Sequence, residues 1–178
     1  MPYAKIAAIM ITAESYHSTV KHILDILTQH SCWFETFEHE AVRTSEEAAK
    51  IRTGYSLSQG AKALIIQAKR SSTDRFFAMI VIPGNRTFDS KLVKKILGVK
   101  SIRFATPEEV TEVTNGIQVG GVPPWGSLFK LETYVDATLL KHEAIIFNAG
   151  DRRFSIAMKT ADYIKLNASK KVNVTSVN

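Results

Sequence analysis

Two apolar runs joined by a short polar segment lie in the middle of the chain. Residues 61–68 read AKALIIQA, residues 75–82 read RFFAMIVI, and the sequence KRSSTD connects them. Short apolar runs bounded by polar residues are typical of buried strands, and the polar connection predicts a hairpin. The chain is therefore predicted to fold around a sheet that contains this hairpin.

Helical and strand patterns lie on both sides of the hairpin. Thr44, followed three residues later by Glu47, predicts the capped start of a helix, and Thr106-Pro107 predicts another. Helices are also predicted over 16–30, 90–97 and 161–166. The other strand-like runs are 33–37, 101–105, 131–135, 144–147 and 154–158.

These patterns predict one α+β domain over residues 1–178, with a mixed central sheet of six or seven strands and flanking helices. Residues 1–12 are interpreted as a strand or a frayed end rather than a signal peptide, because their apolar stretch is short. Residues 167–178 are polar and are predicted to form a flexible tail.

The chain has a single cysteine, Cys32, and a net charge of +6. One cysteine excludes an internal disulfide and a thiolate-based structural zinc site, and it favours a reducing, cytoplasmic compartment. Since no apolar run approaches the roughly 20 residues that span a bilayer, no membrane is expected. The positive charge favours a polyanionic partner, although any single basic cluster is more often a solvated face.

The sequence lacks the common motifs for phosphate, dinucleotide and metal-dependent chemistry. It contains no GxxxxGK[ST] loop, no GxGxxG after a strand, no GxSxG and no HExxH. The five histidines have no tight ligand spacing beyond His17 and His22, so neither a metal nor another cofactor is expected. Cys32 beside Trp33 is interpreted as a small core residue rather than the nucleophile of a Cys–His pair.

Lys62 stands out inside the first apolar run. A buried strand normally excludes lysine, because desolvating the ammonium group is costly. Near the start of the strand, the side chain could reach the mouth of a cleft and hold a phosphate or an ester oxygen. The alternative is an edge-strand lysine that extends into water.

Residues 120–126, GGVPPWG, form the second unusual feature. Adjacent glycines let backbone N–H groups approach a ligand closely, and the two prolines stiffen the loop. Trp125 could offer a stacking face to a base. The alternative is a tight structural turn with Trp125 in the core.

Four stretches, in order, resemble the YbaK/prolyl-tRNA-editing-domain family of aminoacyl-tRNA deacylases (ProX-like). They are FETFEHEAVRTSEEAAK (34–50), GAKALIIQA (60–68), GGVPPWG (120–126) and the segment 134–158. The resemblance implies a compact α+β domain that binds the 3′ end of aminoacyl-tRNA and hydrolyses the ester of a misplaced amino acid. A ribose hydroxyl of the terminal adenosine is expected to assist the attacking water.

The resemblance also implies roles for individual residues. Lys62 matches the family's essential lysine, and the backbone of Gly120, Gly121 and Val122 matches the loop that holds the reacting end, so these four are the expected catalytic groups. The expected substrate-binding residues are Phe37, Pro123, Pro124, Trp125, Asn148 and Ser155.

Two positions depart from the cysteine-specific relatives. Phe37 lacks their tyrosine hydroxyl, and Ser155 stands where they carry an aspartate. A pocket lined by Asn148 and Ser155 favours a small residue such as alanine, serine or threonine, with cysteine less favoured, on tRNA(Pro). The expected partners are aminoacyl-tRNA and an aminoacyl-tRNA synthetase, and no DNA. The alternatives are a non-catalytic tRNA- or synthetase-binding module of the same fold, and a domain of a larger synthetase.

Overall fold

The structure, a computed structural model, describes residues 15–42 and 44–176. Its α-helices are Ser18–Gln29 (α1), Ser45–Ile51 (α2), Ser90–Leu97 (α3), Pro107–Val113 (α4) and Thr160–Leu166 (α5). Its strands are Phe34–Glu38 (β1), Ala61–Lys69 (β2), Arg75–Pro83 (β3), Thr87–Phe88 (β4), Ser101–Phe104 (β5), Glu132–Asp136 (β6), Ala144–Asp151 (β7), Phe154–Lys159 (β8), Ser169–Val172 (β9) and Thr175–Ser176 (β10).

Local sequence signals set the starts of the helices. At α2, the Glu47 N–H donates to Thr44 Oγ1 at 3.1 Å, and the Thr44 N–H donates to Glu47 Oε2 at 3.3 Å. Thr106 and Glu109 form the same capping box at α4. The helices then present an apolar face to the interior, which in α1 consists of Val20, Ile23, Leu24 and Leu27.

The strands form two main sheets. A mixed sheet has the order β5-β2-β3-β6-β9. In it, β2 is antiparallel to its neighbours β5 and β3, and β6 is parallel to its neighbours β3 and β9. An antiparallel sheet has the order β1-β8-β7, and β4 pairs with β10. A parallel bridge between Gly60 and Ile146 joins the start of β2 to β7, so the two main sheets meet there.

The five-stranded sheet is buried on both faces. Ile65 and Val81 pack into a core shared with α1 and the three-stranded sheet. Ile66 and Ile80 face a second core that includes α3. Burial on both faces is the reason that the β2 and β3 sequences are nearly continuous apolar runs.

The predicted single α+β domain with a mixed sheet and a central hairpin is confirmed. The six or seven strands expected in one sheet are instead divided, because β1, β7 and β8 pair with one another. Residues 1–12, interpreted as a strand or frayed end, lie outside the described residues. None of the described helices is long and apolar enough to cross a membrane.

The prediction of a flexible tail over 167–178 is wrong for residues 169–176. β9 pairs with β6 in parallel, and β10 pairs with β4. Asp136 fixes the turn between them, because its Oδ2 accepts hydrogen bonds from the N–H groups of Val174 at 2.9 Å and Thr175 at 3.1 Å. Val174, only 1% exposed, anchors this otherwise polar segment in the second core. Residues 177–178 lie outside the described part of the chain.

Candidate active site

A cavity of about 300 Å³ opens beside the first half of β2. β5 pairs only with residues 66–69 of β2, and the Ala105 N–H donates to the Ile65 carbonyl at 2.9 Å. The edge of β2 before Ile65 is therefore left to the cavity. The remaining walls come from α2 with its flanking residues Thr44 and Arg52, from Val119, Gly120 and Val122, and from Asn148 of β7.

Lys62, the second residue of β2, lines this cavity and is half-buried. Its ammonium group makes no hydrogen bond or ion pair with any residue that the structure describes. Glu46, in the first turn of α2, is the only carboxylate among the described residues of the cavity wall. The cavity thus offers an uncommitted cation at its wall.

The two glycines of the 120–126 loop face different ways. Gly120 has φ +90° and lines the cavity together with Val122. The Gly121 N–H instead donates to the Gln118 carbonyl at 2.9 Å, and its carbonyl accepts from the Gly150 N–H at 2.9 Å. The expected contact between the Gly121 N–H and the reacting ester is therefore wrong, because the turn uses that donor.

The second half of the loop points into the core. Pro123 and Pro124 are buried, and neither lies on the cavity wall. The Pro124 carbonyl accepts from the Tyr163 hydroxyl at 2.6 Å and from Asn167 Nδ2 at 2.9 Å. These residues fix the loop from behind and do not border the cavity, contrary to the expected substrate contacts.

Trp125 is 2% exposed and packs edge-to-face against Phe147 and Tyr163, with ring centroids 6.5 and 6.1 Å away. Its ring cannot stack on a base, so this predicted role is wrong. The alternative, a tight turn with Trp125 in the core, is what the structure shows. β7 and α5 surround the indole with apolar side chains.

A hydrogen-bonded group lies at the deep end of the cavity. Arg52 Nε donates to Ser155 Oγ at 3.1 Å, and Arg52 Nη2 donates to Asn148 Oδ1 at 2.7 Å. His39 Nε2 lies 2.7 Å from Ser155 Oγ. We call Arg52, Asn148, Ser155 and His39 the polar floor. Arg52 and Asn148 line the cavity itself, whereas Ser155, 0% exposed, lies beneath them.

The charges of the polar floor follow from its surroundings. Burial lowers the pKa of Arg52 to about 10, so its guanidinium stays protonated near neutral pH. Desolvation also lowers the pKa of His39, which favours the neutral ring. The His39 Nδ1 lies 2.8 Å from the Glu40 carbonyl and must carry the ring proton, because a carbonyl only accepts.

Phe37 lies next to this group but not on the cavity wall. In β1 it is opposite Ser155, and its ring packs edge-to-face against Tyr55 at 5.8 Å. The structure thus brings Lys62, Gly120, Val122 and Asn148 together around the cavity, with Ser155 beneath. It keeps Phe37, Gly121, Pro123, Pro124 and Trp125 off the wall.

Sequence reasoning missed Arg52, His39 and Glu46. Arg52 follows the short helix α2 and has no local signal that separates it from an exposed arginine. His39 lies in the FETFEHE sequence that carries part of the family resemblance, and this was the one sequence signal for it.

Among the residues described, no group of three or more His, Cys, Asp or Glu side chains could hold a metal ion. With Lys62, Arg52 and the Gly120 backbone on it, the wall can hold anionic oxygens and donate hydrogen bonds.

Comparison with known proteins places this geometry in context. A family model of the aminoacyl-tRNA editing domain matches residues 39–166. The multifunctional Ser/Thr-tRNA deacylase ProXp-y of Escherichia coli (strain K12) is 33% identical over 156 residues, covering 87% of this chain and 92% of that protein.

Two further similarities are weaker in sequence. EbsC of Enterococcus faecalis (strain ATCC 700802 / V583), named as a candidate Cys-tRNA(Pro)/Cys-tRNA(Cys) deacylase, is 29% identical over 96 residues, which are 54% of this chain and 58% of that protein. The crystal structure of a candidate trans-editing enzyme for prolyl-tRNA synthetase has a TM-score of 0.73 at 24% identity, covering 90% of this chain and 98% of the other. This last similarity shows a shared fold.

Proposed function

This chain belongs to the aminoacyl-tRNA editing domain family, and on that premise we propose that it releases serine or threonine from mischarged tRNA in the cavity beside β2. It is a trans-editing hydrolase that deacylates aminoacyl-tRNA, and aminoacyl-tRNA is its partner. We assign the 3′ acceptor end of the tRNA to the cavity, because the ester to be cleaved lies at that end.

The uncommitted ammonium group of Lys62 carries this proposal. Ester hydrolysis develops negative charge on the carbonyl oxygen, and a cation stabilises that charge more strongly in a partly desolvated cavity than in water. Lys62 can hold this oxygen, or the terminal phosphate beside it, as a point charge. The N–H groups of Gly120 and Val122 make no hydrogen bond to a described residue, so they supply further donors at the same wall.

Water is the nucleophile in this proposal. The ionisable side chains on the described cavity wall are Glu46, Arg52 and Lys62, which do not form a nucleophile–base pair. A ribose hydroxyl of the terminal adenosine therefore orients the water, and the protein positions the ester and stabilises the charge.

The choice of amino acid rests on the deep end of the cavity. Its polar floor suits a side chain that can form hydrogen bonds with Arg52. The Escherichia coli relative is named for its action on Ser- and Thr-tRNA. Serine and threonine satisfy both observations, whereas alanine has no hydroxyl to form these hydrogen bonds.

The test is deacylation of tRNA(Pro) charged with alanine, cysteine, serine, threonine or proline. We expect wild type to release serine and threonine fastest and to spare proline. Lys62→Ala should lower the rate for every released amino acid by about 100- to 1,000-fold, the effect of losing one oxyanion-stabilising group.

Lys69→Ala is the matched control, because Lys69 lies at the other end of the same strand, roughly 23 Å from Lys62. It should retain near-wild-type cleavage. The proposal fails if wild type releases none of the five amino acids, or if Lys62→Ala keeps the wild-type rate in a folded protein.

A further inference from the structure

Arg52 is fixed along one edge of its guanidinium group. Nε and Nη2 donate to Ser155 and Asn148, as described above. The two acceptors are also close to each other, with Ser155 Oγ 2.9 Å from Asn148 Oδ1. Because a guanidinium is planar and its donors form a rigid fork, this pair of contacts fixes the plane of the group.

The other edge of Arg52 has donors left over. A guanidinium carries five N–H groups, and the contacts above use two. Nη1 makes no hydrogen bond to any described residue, although Arg52 lines the cavity and is only 6% exposed. None of the described carboxylates pairs with it. A buried charge in this state is costly unless a ligand completes its hydrogen bonds.

We infer that Arg52 determines amino-acid specificity by donating its outer N–H groups to the side-chain hydroxyl of a seryl or threonyl group on the polar floor. The inference rests on the proposed function, because it places the aminoacyl ester in the same cavity. Arg52 contacts the side chain of the substrate and not the ester, so it selects the amino acid without taking part in the cleavage.

Depth in the cavity selects the hydroxyl among the acceptors that aminoacyl-tRNA offers. The phosphates and riboses remain attached to a macromolecule at the mouth, whereas the aminoacyl group is terminal and reaches furthest. A residue that is 6% exposed meets only this terminal group. The substrate's α-ammonium group is repelled by a guanidinium and pairs better with Glu46 on the wall, so the side-chain hydroxyl is the acceptor left for Arg52.

A cavity floor with free N–H donors favours a substrate side chain that carries an oxygen over one that carries only carbon. Alanine leaves the outer donors of Arg52 without an acceptor, and the proline ring would cover them. A cysteine thiol is a weaker acceptor than a hydroxyl. The expected order of cleavage is serine and threonine, then cysteine and alanine, then proline.

The first experiment compares kcat/KM for Ser-, Thr- and Ala-tRNA(Pro) between wild type and Arg52→Met. We expect the serine and threonine values to fall by about 10- to 100-fold, the loss of one hydrogen bond to a charged group, and the alanine value to change by less than about 3-fold. Arg86→Met is the control, because Arg86 lies in the turn between β3 and β4 and does not line the cavity, and it should leave the serine-to-alanine ratio unchanged. Equal losses for all three amino acids in Arg52→Met would overturn the inference.

A second measurement uses wild type alone and so does not depend on the folding of Arg52→Met. The amide-linked analogues 3′-serylamino-3′-deoxyadenosine and 3′-alanylamino-3′-deoxyadenosine differ only in the hydroxyl and resist hydrolysis. We expect the seryl analogue to bind at least about 10-fold more tightly in calorimetric titrations, and equal affinities would overturn the inference.

The deacylation assay distinguishes the two ways in which the inference can fail. If wild type releases serine and alanine at equal rates, only the role of Arg52 is overturned. If it releases no amino acid, the proposed function is overturned and this inference with it.

Discussion

The rim and the polar floor of the cavity are held by different forces. The rim (Lys62, Gly120 and Val122) is backed mainly by apolar packing, because the loop continues from Gly120 into the buried Trp125. One hydrogen bond, from Asn148 Nδ2 to the Gly120 carbonyl at 2.6 Å, links it to the polar floor. The polar floor is held by hydrogen bonds between strands and α2. Ester cleavage is common to every aminoacyl-tRNA and needs a rigid backbone and a cation, whereas choosing the amino acid needs oriented polar groups. Changes in the two regions should therefore separate rate from selectivity.

Removing the support behind the rim should have the largest effect on stability. Trp125→Ala is expected to lower the free energy of unfolding by about 3–5 kcal/mol, the range for a large aromatic side chain removed from a core. Trp33→Ala is the matched control, since Trp33 is 43% exposed and its loss should lower the free energy of unfolding by less than that of Trp125. Urea unfolding followed by circular dichroism measures both. A Trp125→Ala protein as stable as Trp33→Ala would contradict packing as the support of the rim.

Breaking the polar floor should cost less stability but alter selectivity. Ser155→Ala removes the acceptor of Arg52 Nε and the partner of His39 Nε2 at a fully buried position, which should cost about 1–3 kcal/mol. It should also narrow the preference for serine over alanine, because Arg52 loses one of its two anchors. Ser127→Ala, at an exposed position, serves as the control in the same unfolding and deacylation assays. An unchanged preference would mean that Asn148 alone fixes Arg52.

The elements of the fold with local causes could be predicted from sequence. The capping boxes at Thr44 and Thr106 mark helix starts whatever surrounds them, and a strand buried on both faces needs an unbroken apolar run. β9 and β10 could not be predicted, because their pairing depends on Asp136 and Val174, which are 38 residues apart. The burial of Trp125 likewise depends on Phe147 and Tyr163, far along the chain.

The site divides in the same way. Lys62 could be found because a lysine in an apolar run is chemically out of place. Arg52 gave no such signal, since an arginine after a short helix is ordinary until β7 and β8 place Asn148 and Ser155 beside it. Gly121 illustrates the converse error: a glycine pair predicts a close backbone approach but not which of the two N–H groups the turn itself will use.

The backbone of Gly120 gives a smaller effect, which tests the rim directly. Its φ of +90° is disfavoured for residues with a Cβ, so Gly120→Ala should cost about 1–2 kcal/mol and slow deacylation by displacing the loop. Gly98→Ala is the control, because Gly98 also has a positive φ, +62°, but lies at the end of α3, away from the cavity wall. The two variants should lose similar stability, and only Gly120→Ala should lose activity. Equal deacylation rates for the two variants would mean that the backbone at Gly120 has no role in the reaction.

His39 should give the smallest effect, a dependence of stability on pH. When the ring is neutral, its Nε2 competes with Asn148 Oδ1 for the single Ser155 hydroxyl proton, whereas a protonated ring donates to Ser155 Oγ, so protonating His39 changes the polar floor. Desolvation is the largest cause that lowers the pKa of His39; the hydrogen bond to the Glu40 carbonyl raises it, the charge of Arg52 lowers it further, and Asp151 raises it.

The sign of the pH effect follows from these pKa values. The unfolded chain takes up this proton near pH 6.5 and the native protein only at lower pH, so the native state should lose stability as the pH falls through about 6.5. The loss should level off below the native pKa of His39. Urea unfolding between pH 8 and 5 should show a shallower fall for His39→Gln than for wild type, while His30→Gln, at an exposed position, should follow wild type. Identical pH profiles for His39→Gln and wild type would mean that the native His39 titrates as it does in the unfolded chain.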